Sequence, residues 1–418
     1  MSEHTTPPDL CLASSGHGEI DYIVTRRKQS LFQGDLNAHS ARISAKLRGR
    51  RVLVIGGGGS IGSATTCLLV DYAPSVIHVI DQNENYLAEL VRYLRGRPLG
   101  LRDVDLRTLP IDYGSPIMER FLLEAERPYE IVLNFAALKH VRSEKDIYSV
   151  LQMLDTNLVR HARFKHWLSK YGHGQVYFAV STDKAANPTS LMGASKRLME
   201  DLTFGLYAAE AQLTTSARFA NVAFSNGSLL DGFLRRLVTR QPLAVPRDTR
   251  RYFISQIEAG ELCLIAALLA PDKHIAFPNL NPLDELQSLE SIAMRVLEHF
   301  GLTPQFYEDE EGARRDLERV ARTGRWPLLL TPLNTSGEKS YEEFVGEGET
   351  AVDIGMKAIR AFCHVPSRAI DSKLFDWMAI LIDDAHRPVD KTRIVEQVGQ
   401  ALASFCHVDT GRNLDQRL

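Results

Sequence analysis

The sequence predicts an α/β fold built on a doubly wound parallel sheet, and two patterns support this prediction. Short apolar runs rich in β-branched residues, such as those at 51–55 and 176–180, alternate with segments of helical periodicity. Strands that alternate with helices need crossover connections, so they form parallel sheets. A glycine-rich turn at 56–62 (GGGGSIG) joins the first apolar run to a helical segment, as in nucleotide-binding βα units.

The elements of the sheet follow one another along the first half of the chain. A helix is predicted at 63–69, and strands are predicted at 51–55, 76–80, 106–111, 130–135, 176–180 and 215–219. Beyond residue 222 the pattern loosens, with a strand expected at 274–278 and a helix at 288–300. Residues 1–35 are polar and are expected to be poorly ordered, with a solvated basic patch at 26–28. Helical spacing predicts a helix at 35–47.

Composition excludes several classes of function. The chain has 418 residues, 24% charged side chains and a formal net charge of −3. Without a basic field, neither nucleic acid nor an anionic membrane surface is expected as a partner. The five cysteines are scattered without metal-ligand spacing, which favours a reducing compartment and no metal site. The N-terminal residues do not have the pattern of a signal peptide. A membrane span needs about 20 apolar residues, and every apolar run here is much shorter, so a cytoplasmic protein is expected.

The glycine-rich turn predicts a dinucleotide site in a Rossmann-type fold. Gly56, Gly59 and Gly62 have the GxxGxxG spacing of short-chain dehydrogenases. Glycine allows a tight turn and brings backbone N–H groups close to a pyrophosphate, which the helix N-terminus stabilises. Ser60 and Ile61 lie inside this turn and are therefore also predicted to contact the cofactor.

Two acidic residues follow the second and third predicted strands. Asp81 lies 19 residues beyond Gly62, close to the spacing expected of the acid that binds the adenosine ribose. A carboxylate accepts from both ribose hydroxyls and repels a 2′-phosphate. Because residues 82–85 contain no arginine, NAD is favoured over NADP. Asp81 also fits the N-cap of the next helix, and both roles are compatible. Asp112 follows the third strand and is predicted to contact the adenine.

Small residues follow the fourth strand, where a backbone can approach the cofactor. Ala136 and Ala137 are therefore predicted as cofactor contacts. Asn157 lies on the helix that follows. An asparagine inside a helix is usually a neutral surface residue, but here we expect it to hold the backbone on the cofactor side.

The stretch at 181–196 carries the candidate chemistry. Thr182, Asp183 and Lys184 follow one another where the fifth strand ends, and ligands of open α/β sheets bind at such ends. Met192 and Lys196 are four residues apart on the next predicted helix, so they share a face. The alternative for Asp183 and Lys184 is an ordinary surface ion pair, but the upstream glycine motif favours catalysis.

These patterns predict four segments. We expect an N-terminal extension at 1–47, an NAD-binding Rossmann domain at 48–222, a substrate-binding domain that contributes to the sheet at 223–345, and a helical extension at 346–418.

Several further motifs make the chain resemble one family. They are VLVIGGGGSIGS (52–63), NFAALKHV (134–141), STDKAANPTSLMGASKRLME (181–200), RFANVAFSNGS (218–228), RRYFIS (250–255) and GEKSYEEF (337–344). The chain is similar to the nucleotide-sugar 4,6-dehydratases that act on UDP-N-acetylglucosamine, in the polysaccharide biosynthesis branch of the extended short-chain dehydrogenases. Met192 stands where most short-chain dehydrogenases have tyrosine, although a subset of these dehydratases also has methionine. Thr335 and Ser336 stand where the family usually has arginine before Gly-Glu-Lys, which leaves the nucleotide and sugar open.

The resemblance implies a reaction in which bound NAD oxidises C4 of the sugar, water leaves across C5 and C6, and the hydride returns to C6. Met192 has only a weak acceptor sulfur and cannot take the C4 hydroxyl proton. That proton would therefore pass to Asp183, Lys184 or a water held by Thr182. Asp183 is the candidate acid for the C6 hydroxyl, and Lys184 is the candidate base for C5. Lys196 would hold the nicotinamide ribose, and its charge would help Lys184 to lose a proton.

The resemblance also implies the substrate contacts. Asn221 and Arg251 match the diphosphate contacts of the family, although the adjacent Arg250 could serve instead. An arginine fork suits phosphate geometry. Lys139 contacts the sugar or only caps its loop.

Two rival functions and two properties stay open. A nucleotide-sugar epimerase would share the glycine turn and Lys196, but it normally uses the tyrosine that is Met192 here. A dinucleotide-binding regulator with a degraded site would explain the missing tyrosine, but not the intact cluster at 182–184. By analogy with the superfamily, a homodimer or higher homo-oligomer is expected through the helix that carries Met192 and Lys196. The configuration at C5 is not predicted.

Overall fold

The computed structural model describes residues 19–98, 100–101, 103–139, 144–207, 212–332, 343–366 and 372–408. Its helices are α1 (Glu19–Thr25), α2 (Gln33–Leu47), α3 (Ser60–Asp71), α4 (Glu84–Gly96), α5 (Pro116–Leu123), α6 (Ile147–Leu154), α7 (Arg160–Tyr171), α8 (Leu191–Gly205), α9 (Leu229–Val238), α10 (Gln256–Leu269), α11 (Pro282–Glu285), α12 (Leu289–His299), α13 (Glu310–Ala321), α14 (Ser372–Asp383) and α15 (Lys391–Ala401). A π-helical turn lies at Asp155–Val159 and a 3₁₀ turn at Asp183–Ala185.

The strands are β1 (Arg51–Ile55), β2 (Val76–Ile80), β3 (Asp105–Leu109), β4 (Ile131–Asn134), β5 (Val176–Val180), β6 (Leu213–Ala217), β7 (Asn221–Val222), β8 (Leu243–Pro246), β9 (Arg250–Ile254), β10 (His274–Pro278), β11 (Leu286–Ser288), β12 (Thr303–Tyr307), β13 (Arg325–Thr331), β14 (Val352–Asp353) and β15 (Ile359–Cys363). The strands predicted at 51–55, 76–80, 176–180 and 274–278 have these bounds. The other predicted strands differ by one or two residues at their ends.

One nine-stranded sheet has the order β3-β2-β1-β4-β5-β6-β10-β15-β14. The seven strands from β3 to β10 are parallel to their neighbours, and β15 is antiparallel to β10. The strand order reverses between β1 and β4. The predicted doubly wound α/β fold is confirmed, and its switch point, where ligands of such sheets bind, lies beside the glycine-rich turn.

Both faces of the central part of this sheet are covered, and side chains along β1, β2, β4 and β5 alternate between two apolar clusters. Val52 and Val54 of β1 belong to one cluster, with α2, α3, α4 and α10. Leu53 and Ile55 belong to the other, with α5, α6, α7, α8, α14 and α15. A period of two is the geometry of a strand buried on both faces. Burying each such side chain stabilises the fold by about 1.5–3 kcal/mol.

A smaller unit lies beyond β6. It contains the sheet β11-β9-β7 and the parallel sheet β12-β13-β8. Its apolar core includes Phe233 of α9, Ile292 of α12 and Leu328 of β13. Val24 of α1 joins the same core, so the N-terminal helix packs against this unit.

The predicted disorder of residues 1–35 and the predicted helical extension at 346–418 are each wrong for part of the segment. Residues 352–353 and 359–363 form β14 and β15 rather than helix, because Phe362 of β15 pairs with Ile275 of β10. The rest of the described C-terminal extension contains α14 and α15. At the N-terminus, residues 19–25 form α1. Arg27 of the supposedly solvated patch instead donates to Glu258 at 2.7 Å and to the Phe253 carbonyl at 2.9 Å.

The C-terminal helices also bear on the expected dimer. Thirteen of the 15 residues of α8 are buried within the single chain. Residues of α14 and α15, including Phe375, Met378 and Val398, lie in the same apolar cluster as Leu198 and Leu202 of α8. The helix predicted as a dimer contact therefore has little free surface in the chain as described.

Candidate functional site

The glycine-rich turn is compact because four of its five glycines leave no room for a side chain. Gly56 has φ +71°, and a Cβ there would lie 2.7 Å from the Ala136 nitrogen. A Cβ on Gly62 would lie 2.4 Å from the Gly56 carbonyl oxygen. At Gly59 the nearest protein atom would be 3.5 Å away, an ordinary contact. Gly56 and Gly62 therefore serve the fold, whereas Gly59 leaves open space at the N-terminus of α3, where anions are stabilised.

The first turn of α3 holds the other two predicted contacts. Ser60 begins the helix, and its hydroxyl oxygen accepts from the Asn226 N–H at 3.1 Å. This bond joins the turn to the segment that follows β7. Ile61 packs partly against the apolar cluster of the sheet, so only its backbone is placed to face a cofactor.

Asp81 is held by the glycine-rich turn itself. Its two carboxylate oxygens accept from the N–H groups of Gly58 and Asn83, each at 2.9 Å. The N-cap of α4 is Asn83, which accepts from Tyr86, so the N-cap role considered for Asp81 is wrong. A carboxylate has about four acceptor sites, which leaves two for ribose hydroxyls.

Asp112 has a partner that the sequence did not indicate. It accepts from the Gly114 N–H at 2.9 Å and forms an ion pair with Arg160. Arg160 also pairs with Asp155 at 2.6 Å. The carboxylate that is expected beside the adenine is therefore fixed by an arginine of α7.

The loop after β4 is held by two asparagines. Asn134 accepts from the Ala136 N–H at 3.0 Å. Asn157 accepts from the Leu138 N–H and donates to the Leu138 carbonyl, each at 2.9 Å, and donates to the Ser195 hydroxyl at 3.0 Å. Asn157 is buried and lies in the π-helical turn, a feature that is frequent at functional sites. The backbone contact predicted for Asn157 is present.

Lys139 links this loop to the segment after β7. Its ammonium group donates to the Ser225 hydroxyl at 3.4 Å, one residue before the Asn226 that meets the glycine-rich turn. The Lys139 side chain is partly accessible to solvent. Desolvation by the surrounding protein atoms lowers its pKa, although the negative charge of Asp231 acts to raise that pKa. Ala137 is half-buried in the same loop. The loop after β4 therefore contacts the segment that follows β7.

Thr182, Asp183 and Lys184 form one hydrogen-bonded cluster after β5. The Thr182 hydroxyl donates to Asp183 Oδ1 at 2.7 Å, and the Lys184 ammonium donates to the same oxygen at 3.1 Å. Asp183 is only 3% exposed, so the alternative of a surface ion pair does not describe it. An acid and an amine in direct contact can exchange protons.

Met192 and Lys196 lie on α8 as predicted, but both are buried. Met192 is 1% exposed and belongs to an apolar cluster. The Lys196 ammonium donates to the Val180 carbonyl at 2.6 Å and to the Met199 sulfur at 3.1 Å. Burial lowers the pKa of Lys196 to about 7, although Glu200 acts in the opposite direction. Lys196 is therefore only partly charged near neutrality, and its ammonium form has a third N–H for another acceptor.

The predicted diphosphate contacts lie on neighbouring strands. Asn221 opens β7 and donates to the Tyr252 carbonyl of β9 at 3.4 Å. Arg251 also lies on β9, where it is half-buried and donates to the carbonyl of Arg250, which is exposed. Burial favours Arg251 over Arg250. Thr335 and Ser336, together with most of GEKSYEEF, lie outside the described residues.

Residues 52–363 match the model of the family described as polysaccharide biosynthesis protein. The chain belongs to this family.

Relatives in the polysaccharide biosynthesis family share low identity with this chain. The probable polysaccharide biosynthesis protein EpsC of Bacillus subtilis is 25% identical over 83% of this chain and 52% of its own length. An inverting UDP-N-acetylglucosamine 4,6-dehydratase of Campylobacter jejuni is 30% identical over 50% of this chain and 60% of its own length. This chain thus spans about half to three fifths of these two relatives.

Solved structures support the fold of this family member. Pen from Bacillus thuringiensis matches with a TM-score of 0.61 and 21% identity over 76% of this chain and 88% of that chain. The UDP-N-acetylglucosamine 4-epimerase of Methanobrevibacter ruminantium matches with a TM-score of 0.51 and 13% identity over 81% of this chain and 98% of that chain. In the part of this chain that the structure describes, none of the helices has the length and apolar character needed to cross a membrane.

A buried ion network beside the site of this family member was not predicted. Arg218, 0% exposed, donates to both carboxylate oxygens of Glu200 at 2.7 and 2.6 Å and to Glu349 at 2.6 Å. Ser181, the neighbour of Thr182, donates to Glu200 at 2.5 Å. Burial alone would raise the pKa of Glu200, but the nearby Arg218 lowers it to about 2. The network ties the end of β5 to α8 and to residues 343–349.

Proposed function

We propose that this protein is an NAD-dependent nucleotide-sugar 4,6-dehydratase that acts on UDP-N-acetylglucosamine or a related nucleotide-activated N-acetylhexosamine. The observation that carries the proposal is the cluster in which Asp183 Oδ1 accepts from both Thr182 and Lys184. This cluster follows β5 and the glycine-rich turn follows β1, so both lie at the carboxyl edge of one parallel sheet. Membership of the polysaccharide biosynthesis family supports the same assignment.

The residues around the turn fit NAD. The open space at Gly59 admits a pyrophosphate, and the free acceptor sites of Asp81 suit ribose hydroxyls but repel a 2′-phosphate. Asp112, Ala136 and Ala137 would line the adenine and nicotinamide sides of the site, and Lys196 would offer its third N–H to the nicotinamide ribose. When bound, NAD supplies the hydride acceptor for C4 and the hydride donor for C6.

The protein side chains then have to move protons. In its protonated form Asp183 gives a proton to the C6 hydroxyl, which leaves as water. In its neutral form Lys184 takes the C5 proton and later returns a proton to C5. The proton released earlier from the C4 hydroxyl would be held by a water at Thr182 and would then replace the one that Asp183 gave up, so no net proton is gained or lost. The direct contact of Asp183 with Lys184 allows the pair to reach the state of a neutral acid and a neutral amine.

Mass spectrometry of the sugar nucleotide tests this function directly. After incubation with UDP-N-acetylglucosamine, we expect the product to have lost one water. Asp183→Asn and Lys184→Ala should keep NAD binding but lose turnover, because each removes one proton carrier. Lys170→Ala, which removes an exposed lysine paired with Glu119, is the matched control and should turn over normally.

Other results of the same assay would point to the rival functions. A product of unchanged mass but altered sugar configuration would identify an epimerase. No change with several N-acetylhexosamine nucleotides, despite NAD binding, would identify a regulator. Full turnover in both Asp183→Asn and Lys184→Ala would refute the assignment of roles.

A further inference from the structure

The first turn of α8 depends on a carboxylate that is distant in sequence. The leading N–H groups of a helix have no partner inside the helix. In α8 the Ser190 side chain accepts from the Gly193 N–H at 3.1 Å, and Glu144 Oε1 accepts from the Met192 N–H at 3.2 Å. A negative charge at a helix N-terminus also interacts favourably with the helix dipole. Glu144 thus fixes the start of the helix that carries Met192 and Lys196.

Glu144 is in turn held by the C-terminal part of the chain. His407 Nε2 lies 3.2 Å from Glu144 Oε2 and acts as the donor, since an ionised carboxylate only accepts. Lys391, at the start of α15, donates to the Glu144 carbonyl at 3.4 Å. Both contacts reach Glu144 from the segment that follows α14.

The residues around His407 also bind the loop between Lys184 and α8. The Cys406 N–H donates to the Pro188 carbonyl at 3.1 Å, and the Val408 N–H donates to the Thr189 carbonyl at 3.0 Å. We name residues 402–408 the strap. Its start is anchored, because Leu402 lies in the apolar cluster that also contains residues of α8, α14 and α15.

We propose that the strap positions the catalytic loop and the first turn of α8, with Glu144 and His407 as positioning residues. The proposal rests on the dehydratase function proposed above. The strap touches residues 188 and 189, which begin four positions after Lys184, and it reaches Met192 through Glu144. It thereby fixes the spacing between the proton-transferring pair after β5 and Lys196 on α8. Displacements of about 1 Å at such sites cost up to a hundredfold in rate.

Substitution of His407 in the full-length chain tests the strap. In His407→Leu we expect faster hydrogen exchange of backbone amides in residues 186–194, because Glu144 loses its donor and the strap loosens. We also expect kcat with UDP-N-acetylglucosamine to fall about tenfold or more, with KM and NAD affinity within about twofold of wild type. His407→Gln keeps a donor and should recover most of both properties. His386→Leu removes an exposed histidine from the same C-terminal segment and should match wild type.

The two readouts separate this proposal from the proposed function. Unchanged hydrogen exchange at 186–194 in His407→Leu would overturn the strap, as would faster exchange with an unchanged kcat. If the wild-type protein dehydrates none of the nucleotide sugars, the dehydratase proposal fails, and hydrogen exchange still decides whether the strap holds the loop. If His407→Leu does not fold, Glu144→Gln, which keeps an acceptor for Met192 but weakens the bond to His407, should show the same changes in milder form.

Discussion

Replacing Arg218 by methionine should destabilise the protein strongly, because the change leaves buried carboxylates without their main partner. Glu200 is 0% exposed, and among its partners Arg218 makes two hydrogen bonds while Arg197 lies farther away at 3.4 Å. Breaking a buried ion pair from one side costs about 3–5 kcal/mol. We therefore expect the free energy of unfolding of Arg218→Met to be lower than that of wild type by this amount at pH 7.

The pKa of Glu200 sets how this difference changes with pH. The folded-state pKa of about 2 lies below the ordinary value of 4.5, so Glu200 stabilises the fold above pH 4.5 and loses this effect as pH falls towards 2. Each pH unit of the depression corresponds to about 1.4 kcal/mol, which gives roughly 3 kcal/mol in total. By pH 3 about 2 kcal/mol of this should be lost in wild type but not in Arg218→Met, so the difference between the two should shrink.

Urea unfolding followed by circular dichroism at pH 7 and pH 3 measures both effects. Arg92→Met is the matched control, because Arg92 pairs with Glu89 on the exposed surface of α4. That pair should contribute less than about 0.5 kcal/mol at either pH. A loss below about 1 kcal/mol in Arg218→Met, or a difference that stays constant between the two pH values, would refute the reasoning.

Three further predictions concern the turn, the C-terminal helices and the buried lysine. Gly62→Ala should cost stability through its clash with the preceding turn, whereas Gly59→Ala should keep the fold and weaken NAD binding, as calorimetry would show. Met378→Glu, at a buried position of α14, should lower the thermal midpoint by several degrees, but Ile380→Glu, at a position that is 49% exposed, should not. Because the folded-state pKa of Lys196 is below its ordinary 10.5, wild-type stability should rise between pH 7 and 10, and Lys196→Met should flatten that rise in urea unfolding.

The parallel strands could be predicted from sequence because their signal is local. Residues 52–55 of the first run are all apolar and mostly β-branched, which fits a strand buried on both faces. The run at 359–363 lies in the segment that is predicted to be helical, since periodicity cannot separate short buried strands from helices. Its residues pair with residues of β10 that lie 81 to 89 positions earlier in the chain. The order of α1 likewise depends on a contact between Arg27 and Glu258, which are 231 positions apart.

The candidate site likewise has features that the local sequence indicates and contacts that it does not. The cluster of Thr182, Asp183 and Lys184 joins consecutive residues, so the sequence could indicate it. The contacts of Asp112 with Arg160 and of Glu144 with Met192 both span 48 positions. From sequence alone, a charged residue on a helix is predicted to be exposed to solvent, because its distant partner is not known. Long-range electrostatic partners are therefore the part of this site that sequence patterns do not reveal.

The burial of α8 narrows the chemistry that this site can perform. Met192 offers a sulfur that neither gives nor takes a proton, and it is closed off in an apolar cluster. Lys196 is only partly protonated near neutrality, so it lends less positive charge to Lys184 than a fully charged lysine would. Asp183 shares a hydrogen bond with Lys184 and is therefore placed to take its proton in the proposed reaction. A proton that moves from Lys184 to Asp183 leaves one neutral acid and one neutral amine, which is the state that the proposed elimination across C5 and C6 requires.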